Sequence, residues 1–559
     1  MALTQAQTKQ LDDIAAAAQQ QQDERNYKRA QKPWIRLWDG DWDFIGTADD
    51  VIEGSFEWKL NDTGGAHLII PLDSWIAEKL SSLRTRDKAR NVHVTIDKDG
   101  ARWSGRMDSM NLRKDRDGTR ELELHFLHDY EELKHVLVWP NPFLPDAVQF
   151  PRAYTTVGPA RWTLKMALFL NLWRLHGDVW KFNDDPLDYR TWTDAVNPLA
   201  WPVQVKPDSL VGDGTPWVVL SSRMKTWHEL AKPILDDAHL SVECHRWLEG
   251  DPPLRDGSLI DLKPRNGALI VDIVDKSGYW NNQGTALVGN IFTGMIRTAQ
   301  NVVNDVETKH DILPNPNSET MPRAYRIGKA LGTVPTHPYV TYREGAITGV
   351  ESSNFSWQPA TATQTVVGGH SAYGVNEAIS ASIVLAGNYL GNTVFLPTAG
   401  VIADTALKPI YADTILAWNA KKHYGRAREL GWSRYAEHFA DGADKAYTIS
   451  AVWALRKGFW ETREQVSHRL ELQDGAPWFI GQNGQGHFFL GDRIGATIAG
   501  LGDDNIVVEQ VTEISYDFDR DRRGWQAVCG APDGQQSALQ RVVGKVGNVA
   551  QAVHQLGVI

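Results

Sequence analysis

Apolar and polar residues alternate with a period of two where Ile514, Tyr516 and Phe518 interleave with Ser515, Asp517 and Asp519. That spacing puts apolar side chains on one face of a strand and charges on the other. The surrounding stretch, Trp478 to Val528, is punctuated by Gly481, Gly484 and Gly486, and the charged turn Asp519 to Gly524 precedes Trp525, which opens another strand. Short antiparallel strands joined by tight turns, a small barrel or sandwich, are predicted. The segment NVHVTIDKDGARWSGRMDSMNLRKDRDGTRELELHFL follows a similar grammar: an alternating strand, a strand carrying Gly105 to Met107, the charged turn Asp115 to Gly118, and a closing strand from Glu121 to Leu127. The likeness is one of pattern and not of identities. It predicts two β modules of one kind at opposite ends of the chain.

The rest of the chain divides around them. Residues 1–32 are good helix formers with one thin apolar stripe through Leu11 and Ile14, a helix that needs a partner. Residues 33–130 form the first β-barrel module, with short Trp-rich strands split by Gly40, Gly46, Gly54 and the Gly64-Gly65 turn. Helical periodicity in EELKHVLVW and RWTLKMALFLNLWRLH, then a helix and strand in MKTWHELAKPILDDAHLSVECHRWL, predict an inserted α/β domain over 131–298. Residues 299–403 read as irregular β ending in an uncharged apolar segment, and 404–465 as a helical region. Residues 466–531 are the second β-barrel module and 532–559 a C-terminal apolar tail. The predicted fold class is α+β multidomain.

A chain of 559 residues exceeds one core and divides into about three to five units at 100–200 residues each. The net charge of −11 argues against a surface built to grip nucleic acid, which neutralises phosphates with clustered Lys and Arg. Cys244 and Cys529 are the two cysteines, too few and too far apart for a disulfide framework or a metal cluster, which points to synthesis in a reducing cytoplasm. Residues 3–31 are polar and mixed in charge, unlike a signal peptide.

Candidate chemistry is sparse. Asp39, Asp41 and Asp43 resemble the start of a calcium loop, but its sixth position is Phe44 where the turn needs Gly, so a strand-turn-strand is preferred. His228 and Glu229 begin an HExxH pattern that fails at Lys232. His125 with His128, and His423 with His438, lack further ligand candidates at regular spacing. No catalytic, metal-binding or cofactor-binding set is predicted, although a carboxylate pair brought together only in space stays open as an alternative. The window 378–403 would hold about 6 charges at average usage and holds none. Its apolar positions are Ile379, Ile383, Val384, Leu385, Leu390, Val394, Phe395 and Leu396, with Gly387 and Gly391 at a spacing that lets helices approach closely. A buried or lumenal plug, a membrane-contacting segment and a mobile loop all fit. In the tail, Val542, Val546, Val549, Val553 and Leu556 recur at heptad-like spacings and suggest a short self-association seam.

The stretches ADTILAW, RARELGWSRYAEHF, GADKAYTISAVWALRKGFW and above all DGAPWFIGQNGQGHFFLGDRIG resemble minor tail proteins of phages of mycobacteria and their relatives, encoded after the tape measure and distal tail proteins. WIRLWDGDWDFIG and LAKPILDDAHLSVECHRWLEGD are similar to the same family, so the resemblance covers most of residues 33–530. It implies the baseplate, or tail-tip, hub of a long-tailed phage: a homotrimeric ring in which each chain gives two β-barrel domains with α/β domains set between or below them. The implied location is the distal end of the virion tail. The implied partners are the distal tail protein ring, the tape measure protein, other minor tail or fibre proteins and, through residues 378–403, the host cell membrane, with DNA passing the lumen unbound. A tail-associated cell-wall-degrading enzyme and a receptor-binding protein are the alternatives.

Overall fold

The structure, a computed structural model, describes residues 16–530 apart from several stretches, the longest being 178–195, 279–311, 315–336, 385–417 and 441–454; residues 1–15 and 531–559 also lie outside it. The first strands are β1 (Trp34–Trp38), β2 (Phe44–Thr47), β3 (Glu53–Lys59), β4 (Gly65–Pro71), β5 (His93–Lys98), β6 (Ala101–Lys114) and β7 (Arg120–His128). Alternation decides what they bury: Phe56 and Trp58 on β3, and Ala66, Leu68 and Ile70 on β4, face the core while the residues between them do not. Along the sheet the order is β2-β1-β5-β6-β7-β4-β3.

A second set of strands repeats this plan. In chain order it comprises Val350–Gln358, Gln465–Gln473, Arg493–Ala496, Asn505–Phe518 and Arg523–Cys529, corresponding to β3, β4, β5, β6 and β7. In space β5-β6-β7-β4-β3 matches Arg493–Ala496, Asn505–Phe518, Arg523–Cys529, Gln465–Gln473 and Val350–Gln358, every neighbouring pair antiparallel in both sets. The long strands β6 and Asn505–Phe518 each have 14 residues. Each slips register at the same place, between Met107 and Ser109 and between Val511 and Glu513, so Asp108 and Thr512 occupy equivalent bulges. Beyond the slip the pairing also agrees, with Met107 opposite Phe126 and Val511 opposite Cys529, then Phe126 opposite Ala66 and Cys529 opposite Leu470.

The two sets are not separate bodies. β3 pairs antiparallel with the second half of Asn505–Phe518, from Glu513 opposite Lys59 to Phe518 opposite Gly54. One sheet therefore runs from one end of the chain to the other, and one core holds Leu68 and Trp103 together with Leu470, Ile514 and Trp525.

The α/β insertion closes its own core around helices Ala160–His176 and Trp227–Ala238 and the strands Val203–Val205, Leu269–Asp275 and Leu240–Arg246. A capping box starts its second helix: the Thr226 side chain accepts from Glu229 N–H, and the Glu229 carboxylate accepts from Thr226 N–H. The insertion docks on the first module through Asn61, in a left-handed turn at φ 53°. Its side-chain amide donates to Leu240 O at 2.8 Å and its oxygen accepts from Val242 N–H at 2.9 Å.

Three expectations need correction. The segment after Asp129 is helical only over Glu131–Lys134, because Leu137–Val138 is claimed as a strand by Lys225–Thr226. The described residues of 299–403 contain four strands, Ile312–Pro314, Thr341–Tyr342, Val350–Gln358 and Ala362–Gly368; the third, VESSNFSWQ, is too polar to alternate visibly and is ordered by pairing with Gln465–Gln473. Of residues 404–465, expected as a helical region, 404–417 and 441–454 lie outside the described residues; Leu455, Gly458, Phe459 and Glu461 are helical, whereas strands Trp418–Lys422 and Tyr435–Phe439 flank Ala362–Gly368, with the short helix Tyr424–Glu429 between them in the chain. Helix propensities differ by tenths of a kcal/mol per residue, which backbone pairing to a central strand outweighs.

Candidate functional site at the seam of the two β modules

The seam is built on aromatic residues that the alternating strands turn inward. Phe56 and Trp58 of β3 meet Tyr516 and Trp525 of the second module: Phe56 and Tyr516 centroids are 5.3 Å apart, and Trp58 stacks on Trp525 at 5.7 Å. The Trp525 indole N–H donates to Asp99 Oδ2 at 2.7 Å, which satisfies the one polar atom this ring buries. Asp99 opens the β5–β6 turn, and that turn seats the glycine-rich GQNGQG loop. Gln482 N–H donates to Asp99 O, and the Asn483 side chain donates to Gly100 O at 2.7 Å. A Cβ on Gly100 would stand 2.1 Å from Gln482 O, and Gly100 has φ +77°, so glycine is required there. The N-terminal helix ends on the same junction, where Arg29 donates to both Asp474 carboxylate oxygens and to Ile480 O. Arg25 and Arg29 both lie over the Phe479 ring.

The opposite face of the seam is polar. A groove of about 780 Å³ crosses it, lined among others by Ser55, Glu57, His67, His125, Glu513 and Asp517. Burial, followed by the neighbouring Glu57 carboxylate, pushes the Glu513 carboxyl above its ordinary range, and the same two causes raise Asp517. Across β4 and β7, His67 and His125 stack at 4.7 Å, and Glu123 joins them with donor atoms all within 4.8 Å of one another. A tetrahedral zinc site with bonds near 2.0–2.1 Å needs donors about 3.3 Å apart. The three side chains are half-buried metal-type donors, drawn together by the pairing of β4 with β7.

Where the first module meets the insertion, the charges are buried. Arg246 donates to both oxygens of Asp129, at 2.9 and 2.8 Å, and its guanidinium lies over Trp42. Burial alone would raise the Asp129 carboxyl, but Arg246 holds it below its ordinary range. Beside this pair, burial and then the Arg246 charge push His93 down to about 3, and burial pushes His128 down to about 4. Both imidazoles are neutral at physiological pH, which suits packing and not proton transfer.

The residues singled out in the sequence fall as follows. Asp39 Oδ1 accepts from Asp41 N–H and Asp43 N–H, both at 3.0 Å, which is a turn. His228 lies 3.0 Å from the Tyr130 hydroxyl, and Glu229 is spent in the capping box. His125 and His128 point to opposite faces of β7: one lines the groove and the other packs on Trp103. His423 caps the helix Tyr424–Glu429, and His438 pairs with Glu461. Of the apolar segment, Val384 is helical and partly exposed; Ile379, Ile383, Leu385, Gly387, Leu390, Gly391, Val394, Phe395 and Leu396 lie outside the described residues, as do Val542, Val546, Val549, Val553 and Leu556. The His67, Glu123 and His125 cluster was missed because its members are partners across strands. The alternation in AHLIIP and ELELHFL was the available signal.

A doubled β plan fused into one sheet carries an inserted domain held to it by a buried ion pair. The class is that of siphovirus-type minor tail proteins, components of the virion tail. The chain belongs to the siphovirus ReqiPepy6 Gp37-like protein family, which residues 34–531 match. It is 33% identical to minor tail protein Gp28 of Mycobacterium phage L5 and 34% identical to minor tail protein Gp28 of Mycobacterium phage D29, each match covering 92% of both chains. Among solved structures, the 43 kDa tail protein of prophage MuSo2 from Shewanella oneidensis aligns over 90% of this chain and 99% of its own, at 9% identity and a TM-score of 0.37. That likeness is too distant to bear on the assignment.

Proposed function

We propose that this protein is the hub of the tail tip, a homotrimeric ring that closes the distal end of the tail tube and opens for genome ejection. The observation that carries the reading is the internal repeat: the same five-strand order, the same antiparallel pairing and equivalent bulges at Asp108 and Thr512. Three chains with two equivalent modules present six similar faces, which lets a threefold ring sit against a sixfold tube. On this reading the ring meets the distal tail protein ring above and carries tip or fibre proteins, with the tape measure protein reaching it from the tube. The uncharged window around Gly387 and Gly391 then plugs the axis or touches the host membrane first, and the tail from Val542 to Leu556 associates with its copies. The acid balance of −11 favours a lumen that does not hold DNA.

Native mass measurement of the purified protein and of the assembled tip tests the copy number. Three copies are expected, and one or six copies overturn the reading. A zymogram on mycobacterial wall material separates the hub from a wall-degrading enzyme: lysis abolished by a single carboxylate substitution would replace it.

A further inference from the structure

The internal repeat also leaves two equivalent strand edges without a described strand beside them. Within the chain, the second half of Asn505–Phe518 is paired on both edges, by Arg523–Cys529 on one side and by β3 of the first module on the other. Its counterpart, the second half of β6, pairs with β7 on one edge, and no described strand lies on the other. The counterpart of β3, strand Val350–Gln358, pairs with Gln465–Gln473 and likewise has a second edge with no described strand. The burial contrast follows. Tyr516 is 1% exposed where the neighbouring module covers it, whereas its equivalent Leu112 is 60% exposed. Phe56 of β3 is 1% exposed, whereas its equivalent Ser353 is exposed. Long edge strands of this kind are templates for pairing with another chain.

We infer that the second half of β6 pairs antiparallel with strand Val350–Gln358 of a second copy, reproducing between chains the seam that β3 makes within one. The occupant is another copy of this chain, because the template for the contact is the in-chain seam and each chain carries both edges at equivalent places. The contact is heterologous, each copy giving a different edge, so it closes into a ring only if the rotation per copy allows. The register transfers residue by residue. Ser515 faces Glu57 and Tyr516 faces Phe56 in the chain; between chains Asn111 faces Asn354 and Leu112 faces Ser353. The same register puts Met110 beside Phe355, two partly buried apolar side chains. The inference rests on the ring reading for its closure at three copies, but not for the strand contact itself.

Cysteine pairs test the register on the full-length protein. Asn111→Cys with Asn354→Cys, and Leu112→Cys with Ser353→Cys, cover both parities of the ladder, since only one parity of an antiparallel pair favours a disulfide. Leu112→Cys with Gln358→Cys is the off-register control; native Cys244, half-buried, and Cys529, buried, are common to all, so the unsubstituted protein oxidised in parallel gives the background. Mild oxidation is expected to link at least one on-register pair into dimers and trimers on a denaturing gel, with the control monomeric. Hydrogen exchange on the unsubstituted protein adds a readout free of folding artefacts: amides of 109–114 and 350–358 are expected to be protected in the assembled state and to lose that protection on dilution to monomer. Trimers by native mass with neither cross-linking nor protection would overturn this seam and leave the hub intact. Linked ladders running past three copies would support the strand contact and overturn the closed ring. A monomer at all concentrations, with no link, overturns both.

Discussion

Trp58 and Trp525, from opposite ends of the chain, stack with their ring centroids 5.7 Å apart. That contact, with the strand pairing above it, makes the first and second β modules one body, so damage at either partner should be felt at both ends.

Trp525→Ala removes the stack and is expected to cost about 3–5 kcal/mol, while Trp525→Phe, which keeps the ring but leaves Asp99 without the indole donor, costs about 1–3 kcal/mol. Denaturant unfolding measures both. Limited proteolysis of Trp525→Ala should open sites in the N-terminal and C-terminal strands together.

Gly100 and Gly118 both have positive φ, at +77° and +93°, but only Gly100 faces backbone closely, since nothing lies within 4 Å of a Cβ on Gly118. Gly118→Ala is expected to cost about 1–2 kcal/mol of backbone strain. Gly100→Ala should cost clearly more and loosen the GQNGQG loop, read as a larger fall in Tm and faster exchange at residues 481–486.

Arg246→Met leaves the Asp129 carboxylate buried without its partner and is expected to destabilise by about 3–5 kcal/mol. Adding Asp129→Asn removes the stranded charge and should recover part of the loss. Urea denaturation of the single and double variants checks the order.

His93 and His128 are held at about 3 and about 4, against an ordinary 6.5, because burial opposes their charging. The unfolded chain takes up both protons as pH falls through 6.5 while the folded chain does not. Stability is therefore full above 6.5 and is lost progressively down to about pH 3, at a slope of up to roughly 2.7 kcal/mol per pH unit for two such groups. Asp129, whose folded carboxyl is lowered by Arg246, adds to the loss as pH falls from its ordinary value of 3.8 through its folded one. Tm measured from pH 7 to 4 should fall steeply, and His93→Gln with His128→Gln should flatten the profile even where it lowers Tm at pH 7.

Much of the repeat was legible before the structure. The alternation in EISYDFD and in ELELHFL, the charged connections between Lys114 and Arg120 and between Phe518 and Arg523, and the glycine-rich loop each rest on a local rule of period or turn chemistry. Val350–Gln358 was not legible, because SSNFS carries no period and becomes a strand only when Gln465–Gln473 supplies its hydrogen bonds. The strand Trp418–Lys422 was misread as helix for the same reason, its neighbour Ala362–Gly368 lying far back in the chain. The His67, Glu123 and His125 cluster and the Glu57 and Glu513 pair on the seam were also out of reach, since cross-strand neighbours are set by register and not by spacing.

By itself the sequence determined the alternating strands such as EISYDFD and ELELHFL and their inward faces, because those follow from side-chain period and turn residues along a few consecutive positions. Only the tertiary structure decided that β3 and Asn505–Phe518 lie edge to edge, that both modules share one pairing plan down to the bulge, and that Arg246 closes on Asp129. Those contacts join residues hundreds of positions apart, and what selects them is the burial of matching faces and the satisfaction of backbone and charge at the end of folding, which no local pattern encodes.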